Sequence, residues 1–127
     1  MEQNRMLSTI EKFIFFYNAF DINGMLSLLH NDIVFQNISD GKVDTSTKGK
    51  TEFQKLAEQS AVLFKSRQQK ITNCYFEEDK AVIDIDYEGI IAADLPNGLK
   101  AGHKLELKGK SAYTFKDGLI LELTDYS

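Results

Sequence analysis

With 127 residues, 43% of them hydrophobic and 27% charged, the chain has the material for one core and too little length for two domains. A net charge of −4 excludes a broad basic footprint for nucleic acid, and the single cysteine, Cys74, excludes an intramolecular disulfide and a cysteine-based zinc site. The opening MEQNRMLSTIEK is too polar for a secretory leader, and no apolar run approaches the ~20 residues of a membrane span; the expectation is one cytoplasmic domain, 1–127, with no membrane partner.

Ser8 and Glu11 fit a capping box at the start of a first helix, which could begin a turn earlier because Met6 and Leu7 are already apolar. Ile10, Phe13, Ile14, Tyr17 and Phe20 recur at helical spacing, and Phe15, Phe16 and Ala19 widen that face. Such a helix must be covered on most sides. Asp21 can cap a short second helix whose buried stripe is Met25, Leu28 and Leu29. His30-Asn31-Asp32 ends it, with His30 a favourable charge at its C-terminus. Ile33 to Ile38 reads as a strand and the polar stretch Ser39 to Gly49 as a loop. Thr51 and Gln54 suggest a capping box for a third helix, with Phe53, Leu56, Ala57, Ala61 and Phe64 as its apolar face.

Four strands complete the chain. Gln68 to Glu77 turns at Glu78-Asp79 into Lys80 to Ala93, where Ile83, Ile85, Tyr87 and Ile91 alternate with Asp84, Asp86 and Glu88. Cys74, inside the first of these runs, is expected as a small buried hydrophobe. Pro96-Asn97-Gly98 carries turn chemistry. From His103, alternation places His103, Leu105, Leu107, Ser111, Tyr113 and Phe115 on one face and the lysines on the other, with Gly109 a point of curvature or a bulge. Asp117-Gly118 is a two-residue hairpin signal, and Leu119 to Tyr126 closes the sheet. Strands joined by short turns, dry on one face and wet on the other, make an antiparallel meander that the helices must cover. The class is α+β: N-terminal helices packed on a strongly curved, mainly antiparallel sheet, a cone-like α+β barrel.

Three segments carry a resemblance: FYNAFDINGMLSLLHNDIVFQN, the helix start GKTEFQKL, and GKSAYTFKDGLILELTDY, together with the spacing between them. The chain resembles the SnoaL-like branch of the nuclear-transport-factor-like superfamily, which also contains ketosteroid isomerase and limonene epoxide hydrolase. The resemblance implies a pocket between helices and concave sheet, and commonly a homodimer. The ligand it admits is a small apolar molecule or a polyketide- or steroid-like one, and no cofactor. It leaves the activity unassigned, because such families isomerise, cyclise, hydrolyse epoxides, store ligands or bind proteins.

The isomerase branch needs a carboxylate base at the end of the first strand and two acidic donors for an enolate oxygen. Ungapped matching puts these positions on Asn37, Phe13 and Ser111, none of which has the required group. Two other candidates for a base remain. His103 has inner parity and an ordinary pKa near neutrality, but begins its strand just after a turn. Asp125 shares parity with Leu119, Leu121 and Leu123, but lies two residues from the chain end, where termini fray. Tyr17, Tyr87 and Tyr113 could turn hydroxyls into the cavity beside Phe13, Phe64, Asn37 and Ser111. Asp84, Asp86 and Glu88 align on the wet face and read as a solvated or dimer-interface stripe opposite Lys104, Lys108 and Lys110; no metal is expected there. Three readings stand together: a ligand-pocket protein, a pocket enzyme of the isomerase or polyketide-cyclase type using Asp125 or His103, and a non-catalytic dimeric module whose cavity is filled by its own aromatics.

Overall fold

A computed structural model describes all residues from Met1 to Ser127. Its elements in chain order are α1 (Gln3–Asn18), α2 (Ile22–Ser27), β1 (Leu29–Ser39), β2 (Lys42–Lys48), α3 (Lys50–Ala61), β3 (Phe64–Glu77), β4 (Lys80–Ile91), β5 (Lys104–Lys116) and β6 (Leu119–Tyr126). The strands form one six-stranded sheet in the order β2-β1-β6-β5-β4-β3. All neighbours are antiparallel except β1 and β6, which run parallel. The expected α+β class holds, but the sheet is open: β2 and β3 are its two edges and do not pair with one another.

The helices begin differently from the spacing of their capping residues. α1 starts at Gln3, so Ser8 lies in its second turn and caps nothing. Asp21 does cap α2, its Oδ1 accepting from the Gly24 amide at 2.8 Å. α3 begins at Lys50 after Gly49, and the carboxylate that reaches back is Glu52, accepting from the Lys48 amide at 2.9 Å, rather than Thr51 and Gln54. His30 belongs to β1, not to a helix end, and its Nε2 lies 3.7 Å from Asp117 Oδ2.

Two strand assignments also change. The polar stretch after Ser39 is not a loop but a hairpin: Asp40 and Gly41 both take positive φ, and β2 pairs back onto β1. That is the geometry an Asp-Gly turn selects, repeated at Asp117 and Gly118 between β5 and β6. Phe64 lies on β3 and not on α3, and a bulge between Phe64 and Ser66 puts Phe64 and Arg67 on the same concave face.

The core lies between that face and the three helices. Ile10, Phe13 and Ile14 of α1, Met25 of α2 and Phe53 of α3 pack on Ile33, Ile83, Tyr113 and Ile120 of the sheet. The other side of the sheet is wet. There Asp84 faces Lys110 at 3.6 Å, Asp86 faces Lys108 at 3.2 Å and Glu88 faces Lys104 at 3.6 Å, so the acidic stripe is matched by lysines on the next strand. Cys74 is half-buried against the core. Ile120, with no solvent exposure, anchors β6 at the point where β1 joins it. Ile120→Ala is expected to cost about 2–5 kcal/mol in urea unfolding, whereas Phe15→Ser, at a site 67% exposed, should change stability by less than about 0.5 kcal/mol.

Candidate functional site

Strand register assembles a polar row across the concave face. Asn37 of β1 pairs with Thr45 of β2 on one side and with Asp125 of β6 on the other, and Asp125 pairs with Ser111 of β5. Asp125 is therefore held between two strands, and the chain end is fastened beyond it by the Ser127 amide donating to the Ile38 carbonyl at 2.9 Å. The terminus does not fray there. Ser111 Oγ donates to Asp125 Oδ1 at 2.6 Å. Burial pushes the carboxyl up from the ordinary 3.8 to about 6, and the Ser111 hydrogen bond opposes part of that rise.

Two connected hollows meet at this row. The outer one, about 360 Å³, opens to solvent and is bounded by Asn37, Phe64, Tyr87, Gly109, Ser111 and Asp125. The inner one, about 140 Å³, runs under the helices between Phe13, Met25, Phe53, Arg67 and Tyr113. Tyr17, Gln69 and Asp125 line both, so the carboxylate stands at the junction. Gly109 helps keep the mouth open: β4 and β5 pair without a bulge there, and a Cβ at this position would come within 3.3 Å of the Tyr126 carbonyl.

Two phenols line the outer hollow together with Asp125. Tyr17 and Tyr87 hydroxyls are 3.0 Å apart, with their rings edge-on at 6.3 Å. Burial raises the pKa of both, so the pair keeps its protons and shares one between them while the other is free to donate. Tyr17 is fixed from behind. Arg67 lies over its ring with the guanidinium carbon 3.7 Å from the centroid, and Arg67 Nε–H donates to the Tyr17 carbonyl at 2.9 Å. The neighbouring Asn18 makes two hydrogen bonds to the Gln69 backbone, accepting at 2.8 Å and donating at 3.2 Å.

The structure thus brings Asp125, Ser111, Asn37, Tyr17, Tyr87 and Phe64 to the outer hollow, and Phe13 and Tyr113 to the inner one. It does not bring His103 there. His103 is exposed in the turn ahead of β5, lines neither hollow, and contributes backbone bonds to Ile91 and Lys100. Two participants, Arg67 and Gln69, are not among the candidates that the sequence suggests. They lie in the polar run KSRQQK, where no alternation marks a face, and the bulge at its start hides their parity.

A family model described as SnoaL-like domain matches residues 10–123, and the chain belongs to that family. Among curated proteins no sequence matches it significantly. Solved structures share the fold at low identity. A proposed polyketide cyclase from Xanthomonas campestris pv. campestris is 18% identical with a TM-score of 0.83, over 98% of this chain and 91% of that one. TerC, co-crystallised with polyporic acid, is 16% identical with a TM-score of 0.75, over 95% and 89%. A protein with a ketosteroid isomerase-like fold from Catenulispora acidiphila, in complex with trimethylamine, is 13% identical with a TM-score of 0.76, over 94% and 84%.

The raised Asp125 pKa has a sign for stability. The folded state holds the proton more tightly than the unfolded chain, so the fold is favoured at low pH and loses that contribution as pH rises from about 4 to about 6. Asp125→Asn, which keeps an acceptor for Ser111, should therefore be more stable than the wild type at pH 7, by at most about 3 kcal/mol, and equal to it near pH 4. Denaturant unfolding at the two pH values checks this.

Proposed function

We propose that this protein binds a small, mostly apolar molecule between its helices and concave sheet and moves a proton on it, with Asp125 as the base. The observation that carries the reading is one carboxylate at the junction of both hollows, desolvated to a pKa of about 6. Such a group is largely ionised at neutral pH, yet basic enough to remove a proton from carbon beside a carbonyl. In that step the carboxylate takes the C–H proton and the electron pair passes to the carbonyl oxygen. The Tyr17–Tyr87 pair supplies a donor for the oxygen that becomes negative, in the same hollow as the base. Return of the proton to another carbon gives an isomer; attack of the enolate on a second carbonyl of the same molecule closes a ring. The proposed polyketide cyclase and the polyporic acid complex among its structural neighbours agree with a flat, carbonyl-bearing ligand.

We further infer a homodimer through the outer face of the sheet. The half-buried Ala112 and Thr124 lie side by side there, flanked by the buried Val82 and the ion-paired rungs of β4 and β5, and a second copy would cover them. Native mass spectrometry of gently purified protein is expected to give a dimer carrying a discrete added mass; a monomer would overturn the dimer, and a clean species would favour a pocket filled by its own aromatics. For the chemistry, hydrogen–deuterium exchange at the activated methylene of a β-keto ester should be accelerated by the wild type and reduced ~100-fold or more by Asp125→Asn. An unchanged rate in the variant would remove Asp125 from the mechanism.

A further inference from the structure

Arg67 is the most anomalous side chain in the molecule. It is 6% exposed, yet no carboxylate oxygen comes within the 4.0 Å of an ion pair, and all seven such contacts in the chain involve other residues. Its one hydrogen bond to protein is Nε–H to the Tyr17 carbonyl. A guanidinium has five N–H donors, so four are left without a protein acceptor, on nitrogens that are not sealed from the hollows they border. Tyr17 and Phe20 cover its faces, with centroids 3.7 and 4.4 Å from the guanidinium carbon, which leaves the edges as the only direction for further bonds. Those edges border the inner hollow on one side and a shallow polar hollow by Asn18 and Gly89 on the other.

A buried cation without a counter-charge is costly, and stacking on two rings offsets only part of that cost. Asp125 does not serve as the counter-ion, since it makes no ion pair with Arg67 and its hydrogen-bond partner is Ser111. Tyr113 adds a second unsatisfied donor to the same chamber: its side chain is 1% exposed and its hydroxyl makes no hydrogen bond with protein, although it is not sealed from the chamber it lines. Gly89, paired with Arg67 across β3 and β4, borders the shallow hollow, and the Phe64 ring fills the place a Cβ would take, at 2.8 Å. The inner chamber is therefore mostly apolar in its walls, with Arg67 and the Tyr113 hydroxyl as donors that lack protein acceptors and Asp125 at its junction with the outer hollow.

We propose that the inner chamber is an oxyanion subsite, in which Arg67 binds a carboxylate or an ionised enol or phenol of the ligand. This deepens the function proposed above, on whose pocket it rests, by assigning the ligand class as a small acidic molecule with an apolar body. A planar guanidinium held between two rings matches a planar anion edge to edge, an arrangement that lysine would not reproduce. The ligand's charged end would sit on Arg67 and its body would extend past Tyr17 to the junction where Asp125 stands.

Benzoate and benzamide, which share shape and differ in charge, test the subsite by titration followed by protein NMR. Benzoate is expected to bind roughly ten- to a hundred-fold more tightly, to shift the Arg67 Nε–Hε resonance of the wild type, and to lose its advantage in Arg67→Met while benzamide affinity changes little. Arg67→Lys should recover only part of the preference. The wild-type Nε–Hε shift stands even if Arg67→Met fails to fold. Equal binding of the two probes would overturn the oxyanion subsite and leave the pocket reading standing. Benzoate binding that shifts Lys108 and Lys110 at the mouth but not Arg67 would overturn it as well. Binding of neither probe at millimolar concentration would also overturn it, and the β-keto ester exchange assay would then decide the pocket on its own.

Discussion

The clamp between the end of α1 and β3 is the constraint on which the site depends. β3 is an open edge of the sheet, with backbone groups that a neighbouring strand would otherwise satisfy. Asn18 meets the Gln69 amide and carbonyl in place of such a strand, and Arg67 meets the Tyr17 carbonyl at the helix end, which also accepts from the Phe20 amide at 3.1 Å. These three bonds hold the helix across the mouth of a curved sheet. They also fix Tyr17, and through Tyr17 the position of the Tyr87 hydroxyl. The two Asn18 bonds hold the lid over the inner chamber, and the Arg67 bond sets its guanidinium against the Tyr17 ring.

A second constraint works from the other side of the sheet. β6 is paired along both edges, to β1 running parallel and to β5 running antiparallel. Pairing on both edges holds Asp125 in place between Asn37 and Ser111. The placement has an energetic consequence, because desolvation of Asp125 weakens the fold at neutral pH. A residue chosen for stability alone would not be acidic at this point. Ser111 lowers the penalty with a single hydrogen bond and leaves the second carboxylate oxygen without a protein hydrogen bond.

How much of this is legible in the sequence differs from element to element, for physical reasons. Alternation in β4 and β5 is strong because one face is dry and the other carries charge, so the inward set Ile83, Ile85, Ser111 and Tyr113 can be read directly, and Asp125 comes by parity from Leu123; the expected inner places of Leu119 and Leu121 do not hold, because a register shift opposite Thr114 and Phe115 turns Ile120 inward instead. β2 escapes because both its faces are polar: Lys42 to Lys48 has no apolar alternation, and the Asp40-Gly41 signal, identical to Asp117-Gly118, lies between polar neighbours. β3 is legible from Gln68 onward, but two bulges break its period, and each reverses the face of the residues beyond it. Arg67 lies just past the first bulge. No local pattern in KSRQQK distinguishes a buried arginine from a solvated one, because its burial is created by Tyr17 and Phe20, 50 and 47 positions away by number. The cap of α3 is hidden for a different reason: a carboxylate from one residue over, Glu52, serves in place of the hydroxyl that the spacing suggests.

The relation between Asn37 and Asp125 changes what the missing acids mean. The isomerase branch that the chain resembles calls for a base at the end of the first strand, and an amide there cannot take a proton. Yet Asn37 and Asp125 are paired across adjacent strands, whose backbones lie about 4.8 Å apart. Side chains at such positions point the same way and reach overlapping volumes. Under the proposed proton transfer a carboxylate on β6 in place of β1 would address the same volume, while the Asn37 amide donates to Asp44 Oδ2 at 3.4 Å. Ser111, at the position that would carry an acidic donor, instead orients the relocated carboxylate. The absence of acids at Asn37, Phe13 and Ser111 therefore weighs against one arrangement of catalytic groups and not against proton transfer in this cavity. On this chain the same row of the sheet holds a carboxylate, the hydroxyl bonded to it and an amide.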